Sequence, residues 1–358
     1  MNINALHTLV TPAHVSSVSY SPSGIVAVGS DDGSLRLYLT SETKVHKAIR
    51  NLRSEVSSVV WTKPSPNETA GRVWVAIGRR VASFDLDIPK TILSMDDAII
   101  TLPIGEDEND VLNEIALNDN GKHLAFSTDS GTVGVVELSS QRVLRMKTKH
   151  TSISGNVGFI PDRPSELISG GYDSALLHFD FGQGSILSRR DFTAPLQTSG
   201  VSLSPPFILS LALSAAGAIA VGTADGQLWI GRGGEKRPSA KGKKKRTRKW
   251  EGLKEDEGLS VKIAEGPVVA VRFITPVKVL ACSLLGTLSM HTLSEVGDDG
   301  AAFDITPLWK VESKTLAKVN AISTHDDRIA VGGFNKEGKG VVEVWQLNAE
   351  RGESSTRD

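Results

Sequence analysis

One short unit recurs along this chain and constrains its fold more than any other feature. In its first copy, the apolar runs Ile25–Val28 and Leu35–Leu39 flank the segment Ser30-Asp31-Asp32-Gly33. An Asp-Gly pair tolerates the positive φ of a tight turn, and Ile, Val, Leu and Tyr favour a pleated, packed surface. The pattern predicts a β-hairpin. Because an isolated hairpin is only marginally stable in water, it must pack against other strands.

The unit repeats as a Val-rich strand, a Gly-punctuated strand, a turn and a third strand. The first strands of the copies begin near residues 16, 56, 112, 156, 208, 268 and 318. These spacings are compatible with a four-stranded propeller repeat of about 40–45 residues that carries insertions. No window keeps apolar residues at the helical spacing i, i+3, i+4 and i+7. We therefore predict an all-β, seven-bladed propeller.

Each blade also needs an outer strand, and six copies contain a candidate for it. The seventh copy is followed only by the polar residues 349–358, whereas the apolar strand Ala5–Val10 precedes the first copy. We expect this N-terminal strand to complete the last blade, which closes the ring. Residues 1–348 then form a single propeller and residues 349–358 a polar tail. The six predicted outer strands are Lys44–Arg50, Thr91–Met95, Arg142–Lys147, Ile186–Arg190, Leu259–Ile263 and Ile305–Val311.

The net charge of −1 conceals a strong division of charge. Residues 236–249 hold nine Lys or Arg and no acid, so the remaining chain has a net charge of −10. Residues 232–257 are predicted to be a disordered insertion after the fifth copy, since they are too polar to offset the entropy of ordering. Nuclear import, contact with nucleic acid or another polyanion, and a merely solvated insertion all remain open. The basic side chains concerned are Lys243, Lys244, Lys245, Arg246, Arg248 and Lys249.

Other sequence features argue against several protein classes. The single cysteine, Cys282, excludes an intramolecular disulfide and a cysteine-based zinc cluster. No apolar run reaches the ~20 residues of a membrane span, and the N-terminus lacks the pattern of a secretory signal. The eight histidines show no metal-ligand spacing, and no phosphate loop or G-x-S-x-G motif is present. We expect a nuclear or cytoplasmic protein, monomeric outside complexes, that is not an enzyme and has no catalytic residues, cofactor or metal.

Several turns and strand ends resemble units of the WD-repeat family. Examples are the turns Thr223–Gly226 and Gly170–Ser174 and the terminal dipeptides Phe84-Asp85 and Phe179-Asp180. The resemblance covers nearly the whole chain, although several terminal dipeptides depart from the family pattern. It implies that turn aspartates and preceding histidines stabilise the blades, with Asp32 paired to His14 and Asp173 to His150. The residues given this structural role are His14, Asp32, Asp129, His150, Asp173 and Asp225.

The same resemblance implies a protein-interaction scaffold or adaptor. Some members of the family are substrate receptors of cullin-4 ubiquitin ligases and dock through an Arg two places after the terminal Asp. Here Asp87 and Gly182 occupy that place, so neither copy supplies the motif. The alternative is a chaperone for basic ribosomal or histone-like clients, or nucleic-acid contact through residues 236–249. Since Arg and aromatic side chains dominate binding hot spots, the predicted contact residues near turns are Arg79, Arg80, Tyr172, Trp229 and Phe334.

Overall fold

The computed structural model describes residues 2–63, 71–193, 204–232, 252–255, 257–296 and 302–348. Within these residues the chain forms 29 β-strands, one turn of 3-10 helix at Met95–Asp97 and no α-helix. The strands make seven sheets, antiparallel except for one short parallel pair in blade 1, that are arranged as the blades of a propeller. The predicted fold class is therefore confirmed.

The strands are numbered in chain order. The first ten are β1 (Asn2–Thr11), β2 (Val15–Tyr20), β3 (Val26–Ser30), β4 (Ser34–Tyr38), β5 (Val45–Ile49), β6 (Val56–Trp61), β7 (Arg72–Ile77), β8 (Arg80–Asp85), β9 (Ile92–Leu93) and β10 (Ile100–Pro103). The next eight are β11 (Leu112–Leu117), β12 (His123–Thr128), β13 (Val133–Glu137), β14 (Arg142–Arg145), β15 (Ser154–Phe159), β16 (Glu166–Gly171), β17 (Ala175–Asp180) and β18 (Ser185–Asp191). The last eleven are β19 (Ile208–Leu213), β20 (Ala218–Thr223), β21 (Gln227–Arg232), β22 (Leu259–Lys262), β23 (Val268–Thr275), β24 (Lys278–Ser283), β25 (Thr287–Val296), β26 (Ala302–Glu312), β27 (Lys318–His325), β28 (Arg328–Phe334) and β29 (Gly340–Asn348).

The ring closes through the N-terminal strand, as predicted. Blade 7 has the strand order β27-β28-β29-β1, and β1 runs antiparallel to β29 with Leu9 opposite Val342. Leu9 is 1% exposed and packs in one cluster with Val15 and Val28 of blade 1. The first strand therefore supplies both the outer edge of the last blade and part of its contact with the first.

The predicted outer strand of blade 2 was wrong. Thr91–Met95 does not join that blade; instead β9 pairs in parallel with β5 as a fifth strand of blade 1. The buried Lys47 fixes the segment between β8 and β9, because its Nζ donates to the carbonyl oxygens of Leu86 (2.7 Å) and Ile88 (2.6 Å). The true outer strand of blade 2 is β10, which pairs with β8. The other predicted outer strands are confirmed to within a few residues at their ends.

Glycines at one position of the second strand let neighbouring blades approach closely. A Cβ built on Gly170 would lie 2.5 Å from Ile208 Cγ2, on the inner strand of the next blade. Gly29 is in the same position relative to Val56, also at 2.5 Å. Contacts this short cannot exist, so the packing between blades requires the missing side chain. These glycines explain the Gly-punctuated second strands of the sequence pattern.

We expect Gly170→Val to destabilise the protein by about 1–3 kcal/mol, because the new side chain overpacks the contact with Ile208. Gly266→Val is the matched control, since a Cβ at Gly266 meets no atom within 4 Å. Equilibrium unfolding in denaturant measures both free energies. Equal stability of the two variants would contradict the role assigned to Gly170.

Candidate protein-interaction surface

The alternation of strands gives the propeller two faces. We call the upper face the one formed by the turns between second and third strands and by the links between blades. It includes residues 12–14, 30–34, 50–55, 77–80, 104–111, 128–132, 146–153, 171–175, 204–207, 223–227, 263–267, 283–287, 313–317 and 334–340. The lower face carries the opposite ends of the blades.

Four of the five predicted contact residues lie on the upper face. Arg79 is half-buried and Arg80 is exposed, both at the turn of blade 2. The ring of Tyr172 stacks on Phe207 with centroids 5.9 Å apart. The ring of Phe334 stacks on His14 at 4.3 Å. The structure therefore gathers side chains from blades 1, 2, 4 and 7 on one face.

Trp229 is the exception, because it is 2% exposed and lies between blades 4 and 5. Its indole meets Phe192 edge-on at 5.4 Å, and the guanidinium of Arg190 lies 4.8 Å from its centroid. A side chain at this depth contributes to packing between blades. The structure does not support a contact role for Trp229.

In blade 4 a histidine, an aspartate and a serine form one hydrogen-bonded array. His150 Nδ1 lies 2.8 Å from Asp173 Oδ1, and His150 Nε2 lies 2.8 Å from Ser169 Oγ. Asp173 also accepts from the N–H groups of Thr151 (3.0 Å) and Ala175 (3.3 Å). Burial alone would raise the pKa of Asp173, but the hydrogen bond and charge of His150, together with these N–H groups, lower it below the usual value. The array ties the link before blade 4 to its second strand and turn.

This array has the residue types of a hydrolase triad but not the accessibility of one. Ser169 is 0% exposed and His150 only 3% exposed. A nucleophile must reach a substrate carbonyl, and a buried hydroxyl cannot. The geometry therefore fits the structural role implied by the resemblance.

The expected pairing of His14 with Asp32 is corrected by the structure. His14 Nδ1 lies 3.3 Å from Asp31 Oδ2. Asp32 instead accepts from the hydroxyl of Ser34 and faces Arg36 at 3.3 Å. Asp32 precedes Gly33 in a tight turn and folds back on its own hairpin, which leaves Asp31 to meet the histidine.

The turn aspartates of blades 3 and 5 have less elaborate surroundings. Asp129 is exposed and accepts from Asn113 Nδ2 at 3.0 Å. Asp225 accepts from the hydroxyl of Thr223 within its own turn. Blades 1, 3, 4 and 5 thus share a turn aspartate but not one common network.

A cleft of about 760 Å³ opens on the upper face between blades 1 and 2. The link between these blades forms one wall, and Asn51 and Arg53 in it have positive φ values of 60° and 68°. Such values are uncommon for residues other than glycine and concentrate at functional sites. The cleft is lined by Asn51, Leu52, Arg53, Ser54, Ile77, Gly78, Arg79, Arg80, Ser94, Met95, Asp96, Glu108 and Val111.

Sequence reasoning identified Arg79 and Arg80 but missed the rest of the cleft. Ser94, Met95 and Asp96 line the cleft because they follow β9, which pairs with β5 of blade 1. The sequence pattern had assigned this segment to blade 2. The segment Asn51–Ser54 looked like an ordinary link. Its two residues with positive φ are Asn51 and Arg53 rather than glycine, so the sequence does not indicate the left-handed conformation.

The inner strands line a polar central channel of about 340 Å³. Glu114 projects there, and its Oε2 accepts from the N–H of Val157 at 3.0 Å. Burial raises the pKa of this carboxyl, and the charge of Arg272 across the channel offsets part of that effect. The channel is therefore lined by hydroxyls, amides and two opposite charges.

The predicted basic side chains lie outside the described residues. These are Lys243, Lys244, Lys245, Arg246, Arg248 and Lys249. The strands on either side, β21 and β22, are the third and fourth strands of blade 5. Nearer β22, the buried Leu253 donates its N–H to Ser188 Oγ of blade 4 at 2.8 Å.

No group of three or more His, Cys, Asp or Glu side chains that could hold a metal ion occurs in the described part of the chain. Among these same residues, no helix is long and apolar enough to cross a membrane.

Comparison with known proteins identifies the type of propeller. The family pattern described as "WD domain, G-beta repeat" matches residues 4–38, which span the closing strand and the first hairpin. The chain is thus a seven-bladed β-propeller whose first blade matches a WD40 repeat. It is also similar to the WD repeat-containing protein 53 homolog of Dictyostelium discoideum, with 22% identity over 211 residues. The match covers 54% of this chain and 54% of that relative. This chain therefore spans about half the length of the relative that it matches. Propellers of the WD40 type typically bind other proteins.

Proposed function

We propose that this WD40-type propeller is a scaffold that binds partner proteins on its upper face. The observation that supports this is that Arg79, Arg80, Tyr172 and Phe334 share the upper face, where Arg79 and Arg80 line the cleft between blades 1 and 2. Rigid blades hold these side chains on turns, and binding residues concentrate on loops carried by a rigid scaffold.

The role of a cullin-4 ligase receptor receives no added support from the geometry. Asp87 stands where the docking motif has Arg, and its carboxylate accepts from the N–H of Gly71 at 2.9 Å. A nuclear-import role or a polyanion contact for the basic stretch stays a prediction.

One arrangement favours a second candidate function, the binding of basic clients. The pKa of Glu55 on the upper face is raised by burial and by the nearby carboxylates of Asp31 and Asp129. Three like charges in one region attract cationic segments. A chaperone for basic proteins would use this region, and its binding would weaken with added salt.

Affinity purification followed by mass spectrometry tests the choice of face. We expect Arg80→Glu/Phe334→Ala to reduce capture of specific partners by about ten-fold or more, as loss of a hot spot does. The matched control is Arg72→Glu/Val277→Ala, two exposed positions of the lower face. Loss of the partners from the control variant but not from the upper-face variant would contradict the proposal. A variant that lacks residues 236–249 identifies the partners whose capture requires the basic stretch.

A further inference from the structure

The cleft between blades 1 and 2 contains arginines that lack counterions. Among the described residues, no hydrogen bond or ion pair is made by the side chains of Arg53, Arg79 or Arg80. Arg79 is half-buried, and its guanidinium forms no ion pair with a described residue. An external anion would supply what these side chains lack. We propose that the cleft binds an acidic segment of a partner protein, whose carboxylates pair with Arg79 and Arg80.

The backbone that carries Arg79 is held firmly. Its carbonyl oxygen accepts from the N–H groups of both Ile104 (2.9 Å) and Gly105 (3.0 Å). A Cβ on Gly105 would lie 2.7 Å from Arg79 Cβ, so the following link packs directly against this residue. The guanidinium therefore starts from a fixed point, which lowers the entropic cost of binding a carboxylate.

The opposite wall is equally fixed. The N–H of Leu52 donates to the carbonyl oxygen of Gly33 at 3.0 Å, which holds the link with its two left-handed residues against the turn of blade 1. Arg53 is exposed at the rim of this wall. An arginine on each side of the cleft suits a segment that lies between them, because each can pair with a carboxylate in a bidentate manner.

The other lining residues refine the chemistry of the segment. Ile77, Met95 and Val111 provide an apolar part of the lining, so an apolar side chain beside the acids is expected. Asp96 and Glu108 also line the cleft and are exposed. They form no ion pair with the three arginines in the described structure and would repel part of an acidic ligand. We therefore place the carboxylates of the segment at Arg79 and Arg80, because the two acids would repel them.

The proposal rests on the upper face being the partner-binding surface, and defined peptides test it directly. The probe is a fluorescein-labelled peptide of about ten residues that is rich in Glu and contains Leu, with Gln replacing Glu in a neutral version. Fluorescence anisotropy with the full chain measures binding. We expect the acidic peptide to bind more tightly than the neutral one, and Arg79→Gln to weaken it by about ten-fold or more.

Three variants make the result specific. Arg72→Gln, at the other end of the same blade, should change affinity by less than about two-fold. Asp96→Asn/Glu108→Gln should strengthen binding by about two-fold or more, because it removes like charges. Arg79→Lys should bind less tightly than the unmodified protein, since it keeps the charge but loses the planar fork.

Several outcomes would overturn the assignment. Equal effects of Arg79→Gln and Arg72→Gln would do so, as would binding confined to a version in which phosphoserine replaces Glu. Failure here is distinguishable from failure of the proposed function. If Arg80→Glu/Phe334→Ala loses its partners but Arg79→Gln does not weaken peptide binding, only the acidic segment is rejected. If Arg80→Glu/Phe334→Ala keeps its partners, the choice of the upper face is rejected.

Discussion

Leu9→Asp is expected to destabilise the protein by about 4 kcal/mol or more, a large fraction of the stability of a typical domain. Leu9 is 1% exposed at the contact between the last and first blades, where a carboxylate finds no described partner. Val10→Asp is the matched control, because Val10 is the next residue of β1 and is 61% exposed. We expect that variant to stay within about 0.5 kcal/mol of the unmodified protein in denaturant unfolding.

A pair of deletions tests the same closure at larger scale. Removal of residues 2–11 exposes the edge of β29 and the apolar contact between blades 1 and 7, so we expect loss of cooperative unfolding and aggregation. Removal of residues 349–358, predicted to be a polar tail, deletes the same number of residues and should leave the unfolding transition unchanged. Circular dichroism and size-exclusion chromatography report both results. A stable, monomeric protein without residues 2–11 would contradict closure by the first strand.

Asp173→Asn is expected to cost about 1–3 kcal/mol at neutral pH, because it removes the charge to which His150 and two backbone N–H groups are bonded. The variant keeps the shape of the side chain, so packing is preserved. Asp129→Asn, at the exposed turn of blade 3, is the control and should cost less than about 0.5 kcal/mol. Thermal unfolding of both variants provides the comparison.

The pKa of Asp173 gives this prediction a pH signature. Its folded pKa lies below the ordinary carboxyl value, so the unfolded chain binds its proton first as the pH falls. The stability that Asp173 contributes is therefore present above pH ~4 and is lost as the pH falls through the folded pKa. The difference between the unmodified protein and Asp173→Asn should shrink over that acidic range. A difference that is independent of pH would contradict a role for the charge.

The residues of the cleft show where sequence reasoning reached its limit. Arg79 and Arg80 were predictable, because they follow the second strand of a recognisable repeat. Met95 was not, since its segment was expected to form the outer strand of blade 2. That segment instead lies on blade 1, held by the buried Lys47. A parallel pairing of two residues with a distant strand leaves no periodic signal in the sequence.

The side-chain partners show the same division. His150 and Asp173 occupy the places that the resemblance implied, and their atoms meet at 2.8 Å. His14 meets Asp31 rather than Asp32, a choice between adjacent residues that depends on how the turn orients each carboxylate. Trp229 looked like a surface aromatic at a strand and proved to be packed between blades.

The sequence by itself determined the number of blades, the places of most strands and the closure by the first strand. It did so because turns and alternating apolar residues act locally and recur in each copy of the repeat. Only the tertiary structure decided which face gathers the contact residues, which walls enclose the cleft and which side chains remain without counterions. Those properties arise where separate blades meet, between residues far apart in the chain. No local pattern encodes such distances, so the site became visible only when the blades were assembled.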